Sequence, residues 1–255
     1  MRPLLAAFIL VGCSTFSQSI NVFPVSSDLN FGAQPAAQID KDNQQNILDS
    51  TKNGVIYRYL YSIRDSIFKN NEIDHEDRFP WRIRIINDPT LNAFCTPGGY
   101  IYFYTGILKY LQSEDELAGV MGHEIAHAAK RHSTDALTRQ YGVTLITQLF
   151  IDTQYHDLTN IAAGLAFLKY GRKDELESDE YSVKWLYNTS YQATGAAGFF
   201  ERMSASGGQG IPAFLSTHPD PGKRVQHIHD LHKKLGGKTG NKYQERYQRM
   251  IAKLP

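Results

Sequence analysis

The sequence predicts an α+β domain, mainly α-helical with one small β-sheet. Three observations carry that prediction: apolar and basic residues alternate over Trp81–Ile86, a Pro97-Gly98-Gly99 turn leads into an aromatic, β-prone stretch, and helical apolar stripes follow one another after Ser113. A chain of 255 residues suits one large domain or two small ones and can bury a sizeable core. With 42% apolar residues and a formal charge of +1, disorder is excluded and nucleic acid is not expected as a routine partner. Two cysteines, Cys13 and Cys95, cannot build a disulfide framework.

The elements follow in order. Arg2 precedes an apolar run from Leu4 to Gly12, too short for the roughly 20 residues of a membrane span but suited to an export signal. Leu10-Val11-Gly12-Cys13 resembles a bacterial lipobox, so a lipoprotein signal is expected over 1–12 with Cys13 lipidated; an ordinary cleaved signal or a buried strand is the alternative. Ser14, rather than Asp, resembles the pattern of lipoproteins sorted to an outer membrane. That places the protein in the bacterial envelope, facing the periplasm. Loss of Arg2 would take the 27 basic residues down to the 26 of the acidic ones, leaving lipid chains rather than charge as the anchor. The most apolar later stretch, Val143–Leu168, contains Asp152, His156 and Asp157 and is not expected to span. Cys95 is read as a small buried hydrophobe.

Residues 13–38, rich in Ser, Asn, Pro and Gln, read as a flexible tether, with the main domain over 39–255. Between Asp40 and Asn70, the positions Ile47, Val55, Tyr59, Ile63 and Ile67 include several helical i+4 steps. Two short strands are expected around the 97–99 turn, beside the strand at Trp81–Ile86. Ser113-Glu114-Asp115-Glu116 has the form of a capping box and opens a helix whose Leu117, Met121, Ile125 and Ala128 make a stripe. Further helices are expected at about 134–150, 158–170, 174–189, 194–205 and 221–235, with a flexible break at Gly207-Gly208-Gln209-Gly210. Tyr243, Tyr247, Met250 and Leu254 share a helical face near the end.

The capped helix carries the chemistry. His123-Glu124-Ile125-Ala126-His127 is H-E-x-x-H, which puts two imidazoles one turn apart on a single face, where both can reach one metal ion. Glu124 stands beside them, able to take a proton from metal-bound water. A hydrolytic zinc site usually adds a third protein ligand. The histidine that would supply it six residues after His127 is absent, since that position is Ser133. His132 comes one residue early on another face, so a downstream carboxylate is preferred. In the acidic stretch 174–180, Glu175 and Asp179 share a face; one can bind metal while the other orients an imidazole. Glu177 and Glu180 are read as acids suiting a helix N-terminus.

Four segments together resemble the zinc metallopeptidases that include the CaaX prenyl proteases, the HtpX membrane proteases and the BepA-type periplasmic quality-control proteases. They are Asn92-Ala93-Phe94 with Pro97-Gly98-Gly99; Glu116-Leu117-Ala118 leading into His123–His127; Arg172 followed by Glu175 and Asp179; and Thr217-His218-Pro219 with Arg224. The resemblance implies a zincin, gluzincin-like fold. It implies one Zn2+ held by His123, His127 and Glu175, with Glu124 as general base and Asp179 behind a ligand imidazole. His218 carries over as a resting-state switch or fourth ligand, and Arg172 and Arg224 as supporting residues. Gly171 departs from the serine of many relatives, and neither the membrane-spanning helices of the prenyl-protease and HtpX branches nor a tetratricopeptide tail is expected from this sequence.

The function expected is therefore zinc-dependent hydrolysis of peptide bonds in misfolded or unassembled envelope proteins. His218 and Arg224 are both candidates for stabilising the oxyanion, and the strand near Gly99–Phe103 is expected to pair with extended substrate. A lipid-anchored chaperone or adaptor with a latent, His218-blocked site is the alternative. A small-molecule hydrolase is a weaker third.

Overall fold

The computed structural model describes residues 21, 23–136, 138, 139, 169–205, 213–219 and 221–255. The expected signal with Cys13, most of the helices expected at 134–150 and 158–170, the stretch Val143–Leu168 and the Gly207–Gly210 break lie outside the described residues.

The described elements are α1 (Val25–Asp42), α2 (Gly54–Lys69), β1 (Arg82–Ile86), β2 (Ala93–Thr96), β3 (Tyr100–Tyr104), α3 (Thr105–Tyr110), α4 (Glu114–Ala129), α5 (Arg172–Tyr187), α6 (Gly195–Ala205), α7 (Ala213–Thr217), α8 (Pro221–Lys234) and α9 (Gln244–Ile251). The α+β class is as expected. The sheet runs β1-β3-β2, with β3 parallel to β1 and antiparallel to β2. Gly98 and Gly99, both at positive φ (75° and 76°), turn β2 into β3 in a conformation that side chains disfavour. Because β3 is central, both its edges are taken. The strand expected to receive substrate is thus the wrong one, and among the described residues the outer strands are β1 and β2.

The period-two pattern sorts the sheet's faces. Ile83, Ile85, Ala93, Cys95, Ile101 and Phe103 enter the main core with Tyr59, Leu60, Ile63 and Ile67 of α2, while Ile86, Phe94 and Tyr102 form a second cluster on the opposite face. Val55, expected in the helical stripe, is exposed instead, and Ile47 lies outside any helix, bridging to Ile86.

That second face corrects the tether. From Val25 onward the segment is helix, and Ala36 and Ile39 pack against Phe94 and Tyr102. Its buried positions, Asp28, Phe31, Gly32, Pro35, Ala36 and Ile39, recur at helical spacing, but few are strongly apolar and Pro35 sits mid-helix. The packing is polar as well: the Tyr102 hydroxyl donates to the Ala36 carbonyl (3.1 Å) and to Asp40 (2.8 Å), and Arg82 pairs with Asp40 (2.9 Å). Tertiary contacts here override weak local propensity.

Every residue of α4 is buried, since the sheet and α2 cover one side and α5 and α6 the other. The expected stripe is inside, but the reciprocal capping box does not form. Ser113 is the N-cap, yet its hydroxyl goes to Asp115 (2.5 Å). Glu116 accepts from the Gln112 N–H (2.9 Å) and is held by a bidentate Arg202 of α6 (2.6 and 2.5 Å). At the C-terminus Tyr247 is fully buried, donating to the Leu108 carbonyl (2.6 Å). Among the described residues no helix is long and apolar enough to cross a membrane.

The docking of α1 can be tested at Gly32, where an added Cβ would lie 1.7 Å from the Pro97 carbonyl oxygen. Gly32→Ala is expected to lower unfolding free energy by about 3 kcal/mol in urea titrations, as overpacking against backbone does. A flexible tether would leave it unchanged.

Candidate metal centre

Four elements bring the site together. α4 presents His123 and His127 one turn apart, with Glu124 beside them. α5 turns Glu175, Ser178, Asp179 and Ser182 inward at helical spacing, and the Ser182 hydroxyl bonds the Gly119 carbonyl of α4 (2.8 Å). His218 follows α7, its N–H bonded to the Phe214 carbonyl (2.8 Å) and its ring stacked on Phe214. Arg224 comes from α8.

One ligand atom from each of His123, His127, Glu175 and His218 falls within 4.8 Å of the others, and all four residues are buried. The Nε2 atoms of His123 and His127 face each other at 2.9 Å, with Glu175 oxygens 3.5 Å from each. His218 Nδ1 lies 3.0 Å from Glu175 Oε1 and 3.3 Å from His123 Nε2. Donors around one tetrahedral zinc stand about 3.4 Å apart, given bonds of about 2.1 Å, so this set has the spacing and the N/O chemistry for such an ion. Beside it, both Glu124 oxygens and His218 Nε2 are buried without hydrogen-bond partners, 3.6 Å apart at their closest.

Behind the cluster lies a buried guanidinium. Arg224 donates to Asp179 through Nε and Nη2, both at 2.7 Å, and its Nη1 meets Glu175 Oε2 at 2.7 Å. Asp179 Oδ1 in turn lies 2.9 Å from His123 Nδ1, the carboxylate–imidazole arrangement that fixes a ligand's tautomer. Burial opposes ionisation of Glu175 and Asp179. For Glu175 the charges of His218 and Arg224 outweigh it, and for Asp179 the Arg224 charge does, so both carboxyls stay below the usual range. Burial pushes the Glu124 carboxyl up. It also pushes the His127 imidazole well below its ordinary value, helped by His123, and so favours the neutral ring that metal binding needs.

The sequence-derived residues mostly meet here: His123, Glu124, His127, Glu175, Asp179, His218 and Arg224 form one buried group. Arg172 does not join them; it is an exposed residue opening α5. Cys95 is buried, as expected, and burial raises its thiol. Two contributors were not foreseen. Tyr170 stacks on the His127 ring at 3.9 Å, and His132, set aside as a ligand, touches His127 Nδ1 at 3.0 Å. Glu177, read as a helix-end acid, reaches His132 Nε2 at 3.3 Å. No spacing rule marks such partners, because the turn and the second helix that deliver them are tertiary facts.

Removing the guanidinium would strand two buried carboxylates. Arg224→Leu is expected to cost the metal-free protein about 3–5 kcal/mol in denaturant titrations, as one-sided loss of a buried ion pair does.

Known proteins similar to this chain include metallopeptidases. A metalloendopeptidase OMA1 of Arabidopsis thaliana mitochondria is 32% identical over 151 residues, 59% of this chain and 31% of that protein. The metalloprotease YcaL of Escherichia coli is 24% identical over 88% of this chain and 93% of its own length. A Vibrio cholerae protein whose name describes a beta-barrel assembly-enhancing protease is 31% identical over 57% of this chain and 33% of its own. The chain thus spans about a third of the Arabidopsis and Vibrio proteins and nearly all of the Escherichia coli one. The profile of peptidase family M48 matches residues 58–232, a span that holds the whole buried cluster, and the chain belongs to that family.

Proposed function

We propose that the chain is a zinc-dependent endopeptidase of the bacterial envelope acting on misfolded or unassembled proteins, with His123, His127 and Glu175 as zinc ligands and Glu124 as general base. The carrying observation is the convergence of those three residues with His218, next to a buried Glu124 whose oxygens have no partner. When bound, zinc would polarise a scissile carbonyl and acidify water.

Glu124 would accept a proton at a carboxylate oxygen and pass it to the leaving amine; its burial-raised pKa suits a group that must hold the proton between the two steps. Asp179, clamped by Arg224, keeps the His123 ring oriented. Extended substrate would pair along an outer strand of the sheet instead of β3.

In this arrangement His218 supplies a fourth donor. Catalytic zinc sites keep one position open and structural ones close it, so we read the structure as a resting state that His218 must leave. The same feature favours the second reading, an adaptor whose zinc site stays latent. The name of the Vibrio relative and the lipobox-like Leu10–Cys13 support an envelope location with a lipid anchor at Cys13, a signal over 1–12 and a peptidase domain that includes α1.

Glu124→Gln is expected to retain one zinc per chain by elemental analysis while casein hydrolysis falls by about 100-fold or more, the usual weight of a general base. Undiminished hydrolysis would sink the endopeptidase reading, and full cellular function of that inactive variant would favour the adaptor. His218→Ala is expected to raise casein turnover above wild type; a lower rate would assign His218 to catalysis rather than restraint.

A further inference from the structure

His127 has an outer partner unlike that of His123. Its Nε2 faces the cluster, so its Nδ1 points away, towards His132 Nδ1 at 3.0 Å. An imidazole that ligates through Nε2 carries its proton on Nδ1. That N–H must therefore donate to His132 Nδ1, which leaves the His132 proton on Nε2, aimed at Glu177 Oε2 at 3.3 Å. The Ser178 hydroxyl lies 3.2 Å from the same His132 Nδ1. His132 is itself buried, so its contact with His127 is as enclosed as the ligands, while Glu177 at the outer end is exposed.

In an unbroken helix, a residue five positions after His127 would lie about 140° round the axis and could not reach it. The reach depends on Arg131, whose φ of 60° reverses the chain after the Lys130 C-cap. Glycine usually fills such a position, and another residue persists there only when its surroundings compel it. Here the compulsion comes from α1. Arg131 Nε donates to Asp28 Oδ2 (2.7 Å), Nη2 approaches the same oxygen (2.6 Å), and Nη2 also donates to the Phe23 carbonyl (2.7 Å). Asp28 is 1% exposed and accepts from the Thr134 hydroxyl as well (3.0 Å), so the anchor clasps both ends of the turn.

Building on the metal-centre reading above, we propose that His132 is a positioning residue that fixes the His127 ring for metal binding, and that the buried Asp28–Arg131 pair holds His132 in place from α1. The N-terminal helix is then part of the site's scaffold, although it contributes no ligand.

Zinc affinity of the full chain, measured by competition with a chromophoric chelator, tests this. His132→Leu is expected to bind about 10–100-fold more weakly, the usual effect of losing a ligand's outer partner. His132→Asn, whose side-chain oxygen can accept the same proton, recovers most of that loss. Arg131→Gly tolerates the left-handed backbone and binds like wild type, whereas Arg131→Ala neither tolerates it nor reaches Asp28 and binds more weakly. Wild-type affinity in His132→Leu, or equal losses in the Leu and Asn variants, overturns the positioning role; wild-type affinity in Arg131→Ala overturns the part given to α1. Should His132→Leu not fold, the exposed Glu177→Ala serves, with a smaller loss expected and no loss overturning the relay. A wild-type chain that takes up no zinc overturns the metal centre itself, a failure seen before any variant is compared.

Discussion

One buried charge organises the core of this molecule. Arg224 is about as enclosed as any residue in the structure, and a bare guanidinium there would be prohibitively costly to desolvate. Two carboxylates from a single turn of α5, Glu175 and Asp179, compensate it, and they would repel each other without it. The result ties α8 to α5 through three short contacts and leaves each carboxylate one side free to face α4. The residues of the candidate metal centre are thus held together by charge compensation between elements.

Around that centre the domain is layered. α1 lies on one face of a three-stranded sheet, α2 and α4 on the other, and α5, α6 and α8 close the far side of α4. A helix buried all round would ordinarily be apolar, but α4 carries three acids in its first turn and H-E-x-x-H in its second half. Asp115 takes the Ser113 hydroxyl of the helix's own N-cap, and the other polar groups have partners from elsewhere in the chain: Glu114 with Tyr59, Tyr191 and Arg246, Glu116 with Arg202, His123 with Asp179, His127 with His132. Glu124 is the exception. A carboxylate left unpartnered inside a protein is expensive, and such expense is characteristic of sites that act on something.

Enclosure also sets the terms on which the site can work. His218 closes the cluster from the side of α7, stacked on the Phe214 ring and edge-on to the His123 imidazole. On the resting-state reading proposed above, that residue would withdraw to admit a polypeptide, which would make the short α7 segment the place of control. Gating of that kind would couple proteolysis to a conformational step.

Much of the site was legible in the sequence because helical periodicity converts linear spacing into a shared face: His123 with His127, and Glu175 with Asp179, need only the 3.6-residue turn. The strand alternation at Trp81–Ile86 and the Gly98-Gly99 turn were legible for the same local reason. Sequence did not disclose that Pro35 and Gly32 belong to a packed helix, because their fit is to Pro97 and the sheet rather than to their neighbours. It did not show that β3 is central, since strand order is not a local property. Nor did it reveal that His132 backs His127, because that depends on a left-handed residue held by an aspartate more than a hundred positions away. By itself the sequence determined which residues share a face, since that is geometry within one element. Only the tertiary structure decided which faces meet, because burial and charge compensation are settled between elements distant along the chain.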